Sequence, residues 1–175
     1  MKPRGLLSFG PGENRCANYE LAAQSERGTM MSHPDVKPLL IRLFVEDDTL
    51  EVTSLWTRVF PNDPPWNAPG EIIRHKREVQ PDLFLVGVSE SRIVATVMVG
   101  YDGNRGWIYH LAVAPDLRRN GFGRAMMAEA EARLGSLGCP KVNLQIRSSN
   151  VDVVRFYQSL GYAIEERVSM GKRLD

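Results

Sequence analysis

The spacing of apolar positions becomes regular at residue 39. Leu39-Leu40-Ile41-Arg42-Leu43-Phe44 is a short run suited to a strand. Asp47 or Asp48 then offers a helix cap, and Leu50, Leu55, Trp56 and Val59 fall on one face of the helix that follows. Pro61-Asn62-Asp63-Pro64-Pro65 stops that helix, and residues 71–79 predict a second, more polar one. Residues 83–88 and 93–101 are strand-like, with Ser89-Glu90-Ser91-Arg92 as the turn of an antiparallel hairpin. Asp102-Gly103-Asn104-Arg105-Gly106 predicts another turn, leading into a strand over 107–113. A long amphipathic helix follows over 121–137, with Met127, Ala130, Leu134 and Leu137 on one side and Gly138 as its C-cap. A strand at 142–147, a helix at 151–160 and a final hairpin near 162–174 complete the pattern.

The predicted order is β-α-α-β-β-β-α-β-α-β-β, with hairpins first and one strand-helix-strand crossover over 107–147. That mixture argues for a mixed α/β fold, a mixed sheet flanked by helices rather than a doubly wound parallel sheet. No internal repeat or low-complexity tract appears. Residues 1–38 differ in texture. They carry Gly5, Gly10, Gly12, Gly28, Pro3, Pro11, Pro34 and Pro38 without a sustained period, so a flexible extension is expected, with a short helical turn at 19–25. Met30 or Met31 is an alternative start, and a docking arm is the alternative role for this stretch. The domain is expected over 39–175.

Composition narrows the classes. Hydrophobic residues at 43% and charged residues at 25% argue against wholesale disorder, a fibre or a disulfide scaffold. No apolar run approaches the roughly 18 residues of a membrane-spanning helix. The stretch after Met1 is broken by Gly10-Pro11-Gly12 before it reaches the apolar length of a secretory signal, so the expected compartment is the cytoplasm. Cys16 and Cys139 lie outside any CxxC spacing, and His33, His75 and His110 are scattered, so no metal site is expected. With a net charge of +1, no bulk field would hold nucleic acid or an anionic membrane. Any anion must be held by a local device.

Residues 111–124 supply one. A strand ends at Leu111-Ala112-Val113, a loop carrying Arg118 and Arg119 follows, and Gly121 and Gly123 open a helix that begins with Phe122 and Arg124. The first four N–H groups of a helix lack intrahelical partners, and the macrodipole adds about half a positive charge there. Glycines remove side chains that would hold a phosphate away from those amides, so the segment suits an anion cradle. A solvated helix start with turn glycines is the plain alternative. A dinucleotide-binding turn is the other rival. It is disfavoured because Met126 stands where G-x-G-x-x-G needs glycine and the next strand ends at Arg147, not at an acidic ribose partner.

Arg118-Arg119-Asn120-Gly121-Phe122-Gly123 resembles the [R/Q]-x-x-G-x-[G/A] motif of the GCN5-related N-acetyltransferases (the GNAT superfamily), and Val113-Ala114-Pro115 resembles its lead-in. The later N…FY…GF pattern is matched by Asn150, Phe156-Tyr157 and Leu160-Gly161-Tyr162. The resemblance spans about residues 39–175, and Trp66-Asn67 with Tyr101-Asp102-Gly103 is similar to small bacterial members without assigned substrates. It implies a mostly antiparallel sheet whose parallel fourth and fifth strands splay apart, with about four flanking helices. It also implies an acetyl-coenzyme A-dependent N-acetyltransferase acting by direct attack in a ternary complex. Amides of residues 119–124 would hold the diphosphate, with Arg118, Arg119, Asn120 and Arg124 around it. The edge of Leu111, Ala112 and Val113 would pair with the pantetheine arm, and the Val113 amide would polarise the thioester carbonyl. Asn150 would contact the pantetheine or cap its helix.

By the same resemblance Tyr157 is the acid that protonates the departing thiolate; a core aromatic is its plain alternative. From reference pKa values of about 10 and 8.5 that transfer is uphill by roughly 2 kcal/mol. The family's strand glutamate is missing from 107–113, which leaves His110 as the candidate base, or a water chain in its place. Deprotonating a lysine amine at pH 7 costs roughly 4.6 kcal/mol against about 1.4 for an α-amine. A peptide α-amine or small-molecule amine is therefore the expected acceptor, in a pocket between the first two helices and the last hairpin, with Trp66 and Asn67 as contributors. A non-catalytic acyl-coenzyme A sensing module is the alternative of a different class. A monomer or homodimer is expected.

Overall fold

The computed structural model describes residues 38–174. The expected extension, with its helical turn at 19–25, lies outside these apart from Pro38. The elements are β1 (Leu40–Leu43), α1 (Thr49–Val59), α2 (Pro69–Glu78), β2 (Phe84–Ser89), β3 (Arg92–Tyr101), β4 (Gly106–Val113), α3 (Phe122–Ser136), β5 (Val142–Leu144) and α4 (Val151–Gln158). The five strands lie in sequence order. β1 to β4 pair antiparallel, and β5 runs parallel to β4 through the α3 crossover. The expected mixed sheet with four helices is therefore present.

Local chemistry sets the joints. Glu90 and Ser91 both take left-handed backbone, φ 49° and 59°, which matches the twist that a two-residue hairpin between β2 and β3 requires. Arg42 clamps Asp48 with both guanidinium nitrogens, at 2.6 and 2.8 Å, tying β1 to the start of α1. α3 ends one residue short of expectation. Gly138 turns the chain with φ +76°, and Leu137 is exposed instead of joining Met126, Met127, Ala130 and Leu134 in the core.

Each sheet face carries its own core. Val52, Leu55, Trp56 and Ile73 of α1 and α2 pack with Phe84, Val94 and Met98 on one face. Met126, Met127, Ala130 and Leu134 of α3 and Tyr157 of α4 pack with Leu85, Val97 and Val99 on the other. β3 divides by parity, as a strand buried on both faces must.

The final hairpin is not formed. No strand appears over 163–174, and β5 spans three residues rather than the expected 142–147. Ile164, Val168, Met170 and Leu174 stay exposed. They are interleaved with Glu165, Glu166, Arg167, Lys172 and Arg173, which leaves too little apolar surface to offset the ordering of another strand. Lys141 with Glu165, and Gln145 with Ser169, tether this segment through side chains instead.

Candidate active site

The site begins with a break in alternation. β3 and β4 pair as Met98 with Tyr109 and Thr96 with Ala112, so two residues of β4, His110 and Leu111, stand opposite Val97. This is a bulge, and His110 at its first position has φ 46°. Ile108 consequently packs on the α3 face while Ala112 packs on the α1 face. A buried chain holds the bulge: the Trp56 indole donates to Thr96 Oγ1 at 2.8 Å, and the Thr96 hydroxyl donates to the His110 carbonyl at 3.2 Å.

The bulge aims His110 at α1. Its ring lies 4.5 Å from the Trp56 ring and meets Phe60 edge-on at 5.5 Å. Nδ1 is buried and has no hydrogen-bond partner among the described residues. Nε2 lies 3.9 Å from Asp63 Oδ2. Burial pulls the imidazole pKa below its usual value, and the Asp63 carboxylate partly opposes that. His110 closes one end of a cavity of about 190 Å³ walled by Trp56, Phe60, Asp63, Pro64 and Asn67. Of the two expected acceptor residues, Asn67 lines this cavity. Trp66 does not: its ring is exposed, with the Arg173 guanidinium 4.5 Å from its centroid. The tail beyond α4 contributes nothing to the lining, contrary to the expected position between two helices and a hairpin.

Asp63 was legible only as part of a helix stop. The Asp63 amide donates to the Phe60 carbonyl at 3.1 Å in the turn ending α1, which points its carboxylate back at His110. Its other oxygen accepts from Arg147 at 3.1 Å. Residues 63, 110 and 147 are far apart in sequence, so no motif joins them.

The opening of α3 has the features of an anion cradle. Arg119 and Gly121 both take left-handed backbone, φ 67° and 80°. None of the amides of residues 119–124 donates to an acceptor among the described residues. Arg118 and Arg119 form no ion pair there either, whereas Arg124 donates to Ser159 Oγ at 3.3 Å. The Asn120 side chain donates to the Leu117 carbonyl at 3.3 Å. The two glycines act differently. A Cβ on Gly121 would meet open space, but one on Gly123 would lie 3.2 Å from Phe156 Cζ and 3.7 Å from Val113 Cγ2. Gly123 thus lets α4, α3 and the end of β4 converge, beyond any room it leaves for an anion. Phe122 is buried in the core.

β4 and β5 pair only from Gly106 with Val142 to Ile108 with Leu144. Beyond that point Leu111, Ala112 and Val113 have no β5 partner. A cleft of about 1290 Å³ runs from Trp107 and Asn143 past Gln145 and Arg147 to Tyr157 and the segment from Tyr162 to Ser169. Tyr157 is 8% exposed, and its hydroxyl has no partner among the described residues. Burial pushes that hydroxyl up to about 12. Asn150 stands at the N-cap of α4 without a capping hydrogen bond, so its amide is uncommitted. Tyr157 and His110 lie on opposite faces of the sheet.

The acetyltransferase (GNAT) family matches residues 49–162. An acetyltransferase of Yersinia pseudotuberculosis is 42% identical over 134 residues, covering 77% of this chain and 94% of that protein. Among solved structures, the aminoglycoside N-acetyltransferase AAC(6')-Iy in complex with CoA aligns with TM-score 0.63 at 16% identity, over 80% of this chain and 97% of that one. The ribosomal-protein-S18-alanine N-acetyltransferase of Escherichia coli aligns with TM-score 0.60 at 21% identity, over 71% of this chain and 77% of that one. At such identities these two speak for the fold alone. The match to most of the regular chain, together with the close relative, decides the matter: the chain belongs to the GNAT family of acetyltransferases and is an acyltransferase.

Proposed function

We propose that residues 39–175 form a domain that moves the acetyl group of acetyl-coenzyme A to a primary amine, a peptide α-amine or a small-molecule amine, by direct attack in a ternary complex. One observation carries this most: the sheet opens between β4 and β5 beside a helix start whose amides are free, with a tyrosine hydroxyl on one side and an imidazole on the other. Acetyl-coenzyme A, when bound, supplies an acyl group activated as a thioester. The amides of residues 119–124, with Arg118 and Arg119, bind its diphosphate. The unpaired edge of Leu111, Ala112 and Val113 binds the pantetheine arm, and the Val113 amide donates toward the thioester oxygen, where negative charge grows during attack. Asn150 offers its side-chain amide to the same arm.

His110 accepts a proton from the amine, and Tyr157 gives one to the departing sulfur. With the hydroxyl at about 12 and a thiol near 8.5, full transfer from Tyr157 is uphill by about 5 kcal/mol. Proton donation must therefore run together with C–S cleavage, not after it. The small cavity on the His110 side suits an acceptor with a compact end.

The test is calorimetry with acetyl-coenzyme A, followed by thiol release on adding amines. Micromolar binding and amine-dependent release are expected. Binding with no release on any amine would instead favour a sensing module, and absence of heat would overturn the assignment of the cradle. Among the described residues no helix is long and apolar enough to cross a membrane.

A further inference from the structure

The cavity beside His110 holds one carboxylate, Asp63, and that carboxylate is divided between two tasks. Oδ1 is taken by Arg147 at 3.1 Å. Oδ2 faces His110 Nε2 across 3.9 Å, too far for a hydrogen bond between them. A nitrogen set about 2.8 Å from each would see the two at an angle of roughly 90°, near the spacing of two N–H bonds on one ammonium. The aromatic walls of Trp56 and Phe60 and the prolines around them offer no competing charge. We propose that this gap between Asp63 and His110 is the seat of the acceptor's nitrogen, and that Asp63 selects acceptors that arrive as primary ammonium ions with a compact apolar end.

The inference rests on the amine acetyltransferase reading and adds to it the residue that recognises the acceptor. In the tautomer with hydrogen on Nδ1, Nε2 presents its lone pair to the gap. The ammonium donates one N–H to Asp63 Oδ2 and one to Nε2. Transfer of the second proton breaks that N–H bond and forms an Nε2–H bond, and the freed electron pair attacks the acyl carbon. The imidazolium that results is held beside the Asp63 carboxylate. The amine's second proton leaves as the C–N bond forms and ends on the departing sulfur, by way of Tyr157. His110 returns its proton to solvent. Arg147 engages Oδ1 and so fixes the turn of the Asp63 carboxylate, which leaves only Oδ2 for the substrate.

The seat can be read without turnover. The ring resonance of His110, assigned by its loss in His110→Gln, is followed by NMR as ethylamine, benzylamine or phenethylamine is added, with benzyl alcohol as the uncharged control. At least one amine should shift it saturably while benzyl alcohol leaves it in place. Asp63→Asn should weaken amine binding about tenfold or more, Asp63→Glu should recover part of it, and acetyl-coenzyme A binding should be unchanged in both. In turnover, Asp63→Asn should raise the amine KM with little change in the acetyl-coenzyme A KM. No shift with any of the three amines, or equal binding by wild type and a folded Asp63→Asn, overturns the proposal. If acetyl-coenzyme A binds and amines are acetylated in either of those cases, the proposal alone fails. If acetyl-coenzyme A does not bind, the acetyltransferase reading fails instead.

Discussion

Thr96 links stability to function, and Thr96→Val isolates that link. The residue is fully buried between the Trp56 indole, which donates to it at 2.8 Å, and the His110 carbonyl, to which it donates at 3.2 Å. Valine is close in volume, so the cavity term is small. The hydroxyl's loss leaves the indole N–H buried and unpaired, which costs about 1–3 kcal/mol. The donated bond to the carbonyl adds about 1 kcal/mol. It opposes a left-handed, non-glycine backbone at His110 that itself costs about 1–2 kcal/mol. A total near 3 kcal/mol should lower the urea midpoint by about 1–3 M at typical slopes. Trp56→Phe removes the indole donor, so Thr96→Val on that background should cost at least about 1 kcal/mol less. Because the bulge aims His110, amine turnover should fall about tenfold while acetyl-coenzyme A affinity is retained. An unchanged midpoint, or a full cost that persists in the Trp56→Phe background, would refute this account of the bulge.

Tyr157→Phe should lower kcat by about 10²–10³-fold with little change in the acetyl-coenzyme A KM, as expected for loss of a general acid; steady-state kinetics with unaltered kcat would exclude that role. Gly123→Val would drive a side chain into Phe156 from 3.2 Å and separate α3 from α4. A loss of about 1–3 kcal/mol in denaturant melts and weaker coenzyme binding in calorimetry are expected. Lys76 is buried, its ammonium donating to the Val99 carbonyl at 2.6 Å, and burial lowers its pKa from 10.5 to about 8. Since the folded value lies below the unfolded one, the burial penalty is full below pH 8, fades as pH rises and is gone above about 10.5. Lys76→Met should therefore gain stability relative to wild type at pH 7, and the difference should shrink by about 3 kcal/mol by pH 10.5 in paired urea titrations.

The sequence by itself determined nearly all the elements, because their causes are local. Near-continuous apolar runs mark β2 and β3, prolines 61, 64 and 65 end α1, and the glycines of the Arg118 to Gly123 stretch announce a helix start. It also pointed to Tyr157 and Asn67, which the fold brings to the cleft and the cavity. It overstated the C-terminal hairpin, since alternation over 162–174 is necessary for a strand but cannot supply a surface to bury it against.

Only the tertiary structure decided which way His110 faces. Strict alternation along β4 would send it to the same side as Ile108, toward α3. One extra residue in the ladder against Val97 reverses that and delivers the imidazole to Trp56, Phe60 and Asp63. The bulge is held by a threonine on the neighbouring strand and a tryptophan on α1, and the carboxylate by an arginine beyond β5. Such contacts join residues tens of positions apart, and they exist only once the sheet and its helices have assembled.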